Sequence, residues 1–220
     1  MKKLLLFLSL FVFLLSCNNS NDNNAADNEV DDIETEEVEE PSSAFLETSF
    51  TKLFAFYEKD DSTFDTKNFE EAQVTPIDSV TAYPVNPQQL EEFYPYFIYN
   101  SDSTYAIDLY SYNYVLSKRN DKLKADQSGP DTEVALIDVK KGTRKRIFFS
   151  GPAISLLDAK WLDNNTILLA GVETGEGNTS KPIILKADLN QNNIQWFVHN
   201  KSIETDFSNY VEENVFNKLN

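Results

Sequence analysis

The chain has 220 residues, 41% of them hydrophobic, and carries 19 Lys and Arg against 36 Asp and Glu, a formal net charge of −17. Charge of that sign repels a phosphate backbone, so nucleic acid is not an expected partner. A single cysteine and a single histidine exclude an internal disulfide and do not furnish the N/S ligand set of a zinc site, so no metal or other cofactor is expected.

The chain opens with Met1-Lys2-Lys3, runs from Leu4 to Leu15 with only Ser9 interrupting the apolar residues, and reaches Ser16-Cys17. A basic start, about a dozen apolar residues and a small residue before the cut describe a secretory signal peptide over residues 1–16. A membrane-spanning helix needs about 20 apolar residues, and this run is shorter and is followed by Asn and Asp rather than by a basic stop-transfer cluster. Leu14-Leu15-Ser16-Cys17 resembles the lipobox of bacterial lipoproteins, although Leu15 stands where a smaller residue is commoner. The resemblance implies that the signal is cut before Cys17, that a diacylglycerol is joined to its sulfur, and that the new amino terminus is acylated. The implied partner is then a membrane, held through the lipid on Cys17; two or more acyl chains anchor stably, at about 0.8 kcal/mol per buried methylene. Asn18 follows where an aspartate is the inner-membrane retention signal of enterobacterial lipoproteins, so the resemblance points to an outer membrane. The Asn-rich, Phe/Tyr-rich and Lys-over-Arg usage resembles lipoproteins of Bacteroidota, in which acidic stretches after the cysteine sometimes accompany surface export.

Residues 18–41 carry ten acids and no base, with almost nothing to bury. Such a segment does not recover the entropy of ordering and is expected to be a disordered tether behind the lipidated cysteine. As a random coil it would span roughly 27 Å, and more under its own repulsion. The remaining residues, 42–220, hold a net charge of about −9 and are expected to form one β-rich globular domain.

That domain begins with a predicted helix over Ser43–Tyr57, capped by Ser42 or Ser43, whose Leu46, Phe50, Leu53, Phe54 and Tyr57 share one face. Between Glu58 and Pro84 no period is sustained, and a loop with at most a short strand is expected. Asn86–Glu92 reads as a short helical turn with Pro87 at its first position. From Tyr96 the pattern turns to strands: Tyr96–Asn100, Thr104–Leu116, Thr132–Val139, Arg144–Ser150, Ile154–Trp161, Thr166–Glu173, Pro182–Asp188 and Ile194–His199. They are short, rich in Val, Ile, Tyr and Phe, and parted by turn clusters such as Lys140-Lys141-Gly142 and Asp163-Asn164-Asn165. The last residues, with Phe207, Tyr210, Val211, Phe216 and Leu219 near helical spacing, predict an amphipathic helix that covers the sheet.

The strand region repeats weakly. "VALIDVKKGTRKRIFF" from Val134 matches "ILKADLNQNNIQWFV" from Ile184 with Asp138 over Asp188 and one residue of difference in the turn, and "SDSTYAIDL" from Ser101 matches "DNNTILLAG" from Asp163. Each half would be a four-stranded antiparallel meander. The pair resembles two β-propeller blades, which is too few to close a ring. The expected class is mainly β with flanking N- and C-terminal helices; an eight-stranded barrel or a sandwich are the alternatives.

Catalytic signals are sparse, and no enzyme is expected. His199 ends a predicted strand, without any Gly-x-Ser-x-Gly nucleophile turn to recruit it. Asp138 and Asp188 could be offered as an acid/base pair for a hydrolase, but their repeated place after an apolar strand fits turn initiation better. The loop "GVETGEGNTSKP" lacks phosphate-loop spacing and carries two glutamates, and Asp163-Asn164-Asn165 lacks the remaining ligands of a calcium loop. Three triplets, at Asp61, Asp78 and Asp102, resemble the O-glycosylation motif of Bacteroidota. The most suggestive stretch is "YSYNY": on a strand, Tyr110, Tyr112 and Tyr114 would face one side and could stack a ligand, or else cover the core. The expected function is a non-enzymatic, lipid-anchored binding or structural module of the cell envelope. Its alternatives are a module binding a glycan or peptide through Tyr110, Tyr112 and Tyr114, with an envelope protein or glycan as partner, and a carboxylate-dependent hydrolase.

Overall fold

The computed structural model describes residues 41–219 apart from 79, 87–90, 120–121, 176–178, 205 and 208. The signal segment, Cys17, the tether to residue 40 and most of the predicted turn Asn86–Glu92 lie outside the described residues. Residues 40–220 group as one compact unit.

The predicted first helix forms as two, α1 (Ser43–Ser49) and α2 (Thr51–Asp60), broken at Phe50 where ψ is 33°. Ser42 caps α1 by accepting from the Phe45 N–H at 3.3 Å. The break leaves the apolar face intact: Leu46, Phe50, Leu53, Phe54 and Tyr57 are all buried.

The segment read as loop supplies β1 (Phe69–Pro76) and β2 (Tyr83–Pro84). The chain continues through β3 (Ile98–Tyr99) and β4 (Tyr105–Asp108), a separate hairpin of β5 (Tyr114–Arg119) and β6 (Lys122–Gln127), and then β7 (Thr132–Asp138) and β8 (Thr143–Ser150). The second half runs through β9 (Ile154–Trp161), β10 (Thr166–Thr174), β11 (Thr179–Asp188), β12 (Asn193–His199) and the short β13 (Ile203–Glu204). The predicted strand Thr104–Leu116 is therefore wrong: it breaks after Asp108 and resumes at Tyr114. The predicted C-terminal helix shortens to α3 (Tyr210–Asn214) followed by a 3-10 turn, Phe216–Leu219, with Tyr210, Val211 and Phe216 buried.

The fold is mainly β and antiparallel. The expected eight strands do not close into one barrel but divide between two sheets. The first sheet has the order β2-β8-β7-β4-β3 and the second β1-β12-β11-β10-β9, with β13 added beside β11. Each is a four-stranded meander widened by one strand from the N-terminal segment. The hairpin β5–β6 is an insertion between β4 and β7 that the second meander lacks.

The repeat is exact in its turns. Asp138 pairs with Thr143 and Asp188 with Asn193, and the residue before the return strand takes positive φ in both, Gly142 at 63° and Asn192 at 55°. The one-residue difference lies not in the turn, as the sequence suggested, but in β8. There Val134 pairs with Phe148 and Ala135 with Arg146, so that Ile147 is a bulge.

Residues 166–172 of β10 are buried without alternation, as are 182–187 of β11, which requires cover on both faces of the second sheet. One face receives α1 and α2: Tyr57 donates its hydroxyl to the Gly171 carbonyl at 3.0 Å. The other receives the first sheet, where Phe148 packs on Trp196 with ring centroids 5.8 Å apart. Edge contacts add to this, with Trp161 Nε1 donating to the Ile98 carbonyl at 2.7 Å and Thr132 Oγ1 to the Ile154 carbonyl at 2.7 Å.

Gly171 shows how closely these layers approach. It sits at a second bulge, between β9 and β10, and a Cβ there would meet the Ser155 carbonyl oxygen at 2.1 Å. Since that obstacle is backbone, Gly171→Ala should destabilise the domain by about 3 kcal/mol or more. Thermal or urea denaturation beside the parent chain measures this, and an unchanged midpoint would contradict the packing.

Candidate functional site

The face of the first sheet turned away from the second carries charge where strands usually carry apolar residues. Cross-strand pairing puts Asp108 beside Ala135, Ala135 beside Arg146, Ile137 beside Arg144 and Glu133 beside Phe149, so these residues share one face. Asp108, Glu133 and Arg144 are buried there. Arg144 Nε donates to Asp108 Oδ2 at 3.1 Å, and its Nη1 donates to Glu133 Oε1 and, at 2.7 Å, to the Tyr83 hydroxyl. Arg146 Nε donates to Glu133 Oε2 at 3.0 Å. Ser111 closes the network, donating its N–H to Asp108 Oδ1 at 3.0 Å and its hydroxyl to Oδ2.

All four oxygens of the two carboxylates thus accept from donors. Burial works against the charge on Arg144, but Asp108 and Glu133 outweigh it and hold the guanidinium pKa above its ordinary value. Such an arrangement fixes side chains in place rather than presenting an acid or base. It ties β2 to β8 through Tyr83, and the loop after β4 to the sheet through Ser111.

Aromatic rings surround the network. The Arg146 guanidinium lies 4.8 Å from the centre of the Phe149 ring, and Phe149 meets Tyr112 edge to face at 6.1 Å. Tyr83, Tyr112 and Phe149 are 44%, 43% and 39% exposed. Phe149 reaches this face because of the Ile147 bulge, which restores it to the side of Arg144 and Arg146.

The tyrosine row read from "YSYNY" does not form. Residues 110–114 make one helical turn, with the Tyr114 N–H donating to the Tyr110 carbonyl at 3.0 Å, so rings four apart share a side and the middle ring points away. Tyr110 and Tyr114 both pack on Phe216, at 5.7 and 5.2 Å, and Tyr110 is buried. Tyr112 alone faces solvent.

Tyr110 belongs instead to a second constellation, around the bulge at Leu157. Its hydroxyl donates to the Leu157 carbonyl at 3.2 Å. Burial first, and then the neighbouring Asp158 carboxylate, push its pKa well above the ordinary value. Tyr57 is raised likewise, by burial and then by Tyr210 and Asp158. These phenols stay protonated and act as fixed donors that align the strands.

The remaining sequence candidates are occupied by the backbone. Asp138 Oδ1 accepts from the Lys141 N–H at 2.9 Å, and Asp188 Oδ1 accepts from the N–H groups of Asn190 and Gln191 at 2.8 and 3.0 Å. Asp163 Oδ1 accepts from the Asn165 and Thr166 N–H groups at 2.7 and 2.8 Å. Asp61 and Asp102 accept from both the N–H and the hydroxyl of Thr63 and Thr104, while Ser79 of the third triplet lies outside the described residues. These contacts, hydroxyl donation first, lower the pKa of Asp61 and of Asp102. His199 is fully buried, stacked on Phe64 at 5.0 Å, with Nδ1 accepting from the Lys201 N–H and Nε2 facing the Asp65 carbonyl.

No family model, curated protein or solved structure matches the chain.

Removing one partner from a buried ionic set leaves the others uncompensated, which costs about 3–5 kcal/mol. Arg144→Met should therefore destabilise the domain by about that much, and adding Asp108→Asn and Glu133→Gln should recover part of the loss. Urea titrations of the three chains measure both effects, and a triple variant no more stable than the single one would contradict the network.

Proposed function

We propose that the chain is a lipoprotein of the cell envelope, anchored through Cys17 in an outer membrane, and that its domain is a non-enzymatic binding or structural module. The observation that carries this is the lone cysteine directly after a basic start and a short apolar run. No disulfide partner exists within the chain to compete for that thiol, and ten acids then separate it from the domain.

The domain supports the second half of the proposal through the state of its charged groups. Asp138 and Asp188, the pair on which a hydrolase would rest, each cap a turn, and Asp108 and Glu133 are both held by Arg144. What remains outward on that face is aromatic surface, the currency of recognition rather than of proton transfer.

Cys17→Ala should lose the fatty-acid label and migrate more slowly, with its signal uncut. Fractionation with immunoblotting and metabolic labelling by a fatty-acid analogue reads both. Labelling of the variant equal to that of the parent chain would refute lipid anchoring at this residue.

A further inference from the structure

We infer that the outer face of the first sheet is a binding site for an uncharged saccharide chain, laid along β8 from Tyr83 to Phe149 and Tyr112. The inference rests on the binding-module reading and names its ligand class. Tyr83 pairs with Arg144 at one end of the strip, and Phe149 follows five residues later at the other. At about 3.3 Å per residue the strip is about 16 Å long. Exposed rings stand at both ends, with the Arg146 guanidinium, one third exposed, between them.

Three features select the ligand. Part-exposed rings suit the C–H faces of sugar rings, with one side of Phe149 taken by Arg146, and a guanidinium fixed by Glu133 offers directed donors to hydroxyl groups. Charge excludes an anionic ligand: Arg144 and Arg146 stand against Asp108 and Glu133, and Asp78, 3.6 Å from Arg146, leaves one net negative charge, so an anionic chain gains nothing there. Finally, the surface is preorganised. Arg146 is held from below by Glu133 and stacked on Phe149, and the Ile147 bulge is what aims Phe149 outward; bulges recur where a strand must redirect a side chain for function. A buried ionic set is a weak source of stability, and holding this strip rigid gives it a use.

The alternative ligand is a peptide. The edge of β8 is covered by β2 at Thr143 and Arg144 and by Asp78, whose N–H donates to the Ile147 carbonyl at 3.3 Å, so a peptide could not add there as a strand and would have to bind without a main-chain ladder.

The test is native affinity electrophoresis of the detergent-solubilised full chain in gels containing dextran, mannan or laminarin, compared with Tyr112→Ala/Phe149→Ala and with Leu162→Ala, another exposed apolar site. At least one polysaccharide should retard the parent and the Leu162→Ala control. The double variant should lose at least about tenfold in affinity at an unchanged melting temperature. Retardation should persist between about 0.05 and 0.5 M NaCl, since the ligand carries no charge to be screened. Absence of retardation in all three gels, equal retardation of the double variant, or binding confined to low salt would overturn the inference. Capture of an extended peptide that survives loss of both rings would assign the face to a peptide instead. None of these outcomes depends on Cys17, whose membrane anchoring is read separately by fatty-acid labelling.

Discussion

The arrangement depends on one constraint: β10 and β11 are apolar on both faces, and neither face can be left to water. The run Ile167-Leu168-Leu169-Ala170 is buried to the last residue, and burial of such side chains is worth roughly 1.5–3 kcal/mol each. The second sheet must therefore be the middle layer. The first sheet covers one side and the N-terminal helices the other, with Tyr57 reaching across to the Gly171 carbonyl. Elements that look incidental follow from this. The C-terminal segment brings Phe216 against Tyr96, Tyr110 and Tyr114, and the short β13 closes against the start of β11.

The first sheet is also buried on both faces at its centre, where Ala106, Ala135 and Ile137 lie beneath its outer side, and the two meanders diverge in what they place at their margins. The second meander is widened by β1, whose residues are mostly exposed. Glu70, Glu71, the bulge at Ala72 and Pro76 make it a poor template for another strand, a common defence of a sheet edge. The first meander uses its outer face differently. It buries Arg144 between two carboxylates and inserts one residue into β8, which turns Phe149 toward Arg146 and Tyr112. A similar strand pattern thus serves as core in one half and carries a buried ionic set with part-exposed rings in the other.

Most of the strands were legible because their signals were local: β-branched and aromatic runs, bounded by Asp-led turns. Asp138 and Asp188 announced equivalent turns, and Gly142 and Asn192 complete them with residues that tolerate positive φ. What escaped was non-local. Phe69–Pro76 lacks apolar alternation because its side chains are exposed, and it is a strand only because β12 needs a neighbour. "YSYNY" has the alternation of a strand, yet Tyr110 and Tyr114 both seek Phe216, more than 100 residues away, and a helical turn is the conformation that lets them reach it. The charged face was written in the sequence as single acids inside apolar strands, Asp108 in "YAIDLY" and Glu133 in "TEVALI", and as the spacing Arg144-x-Arg146. Only strand register shows that these residues meet.

The claim that two-sided burial of the second sheet organises the domain is tested most directly by native-state hydrogen exchange resolved by strand. Amides of β10 and β11 should exchange slowest, by global unfolding alone, while β1 and the β5–β6 hairpin exchange faster through local opening. Protection of β1 or the hairpin equal to that of β10 and β11, or faster exchange in β10 than in β7, would contradict it.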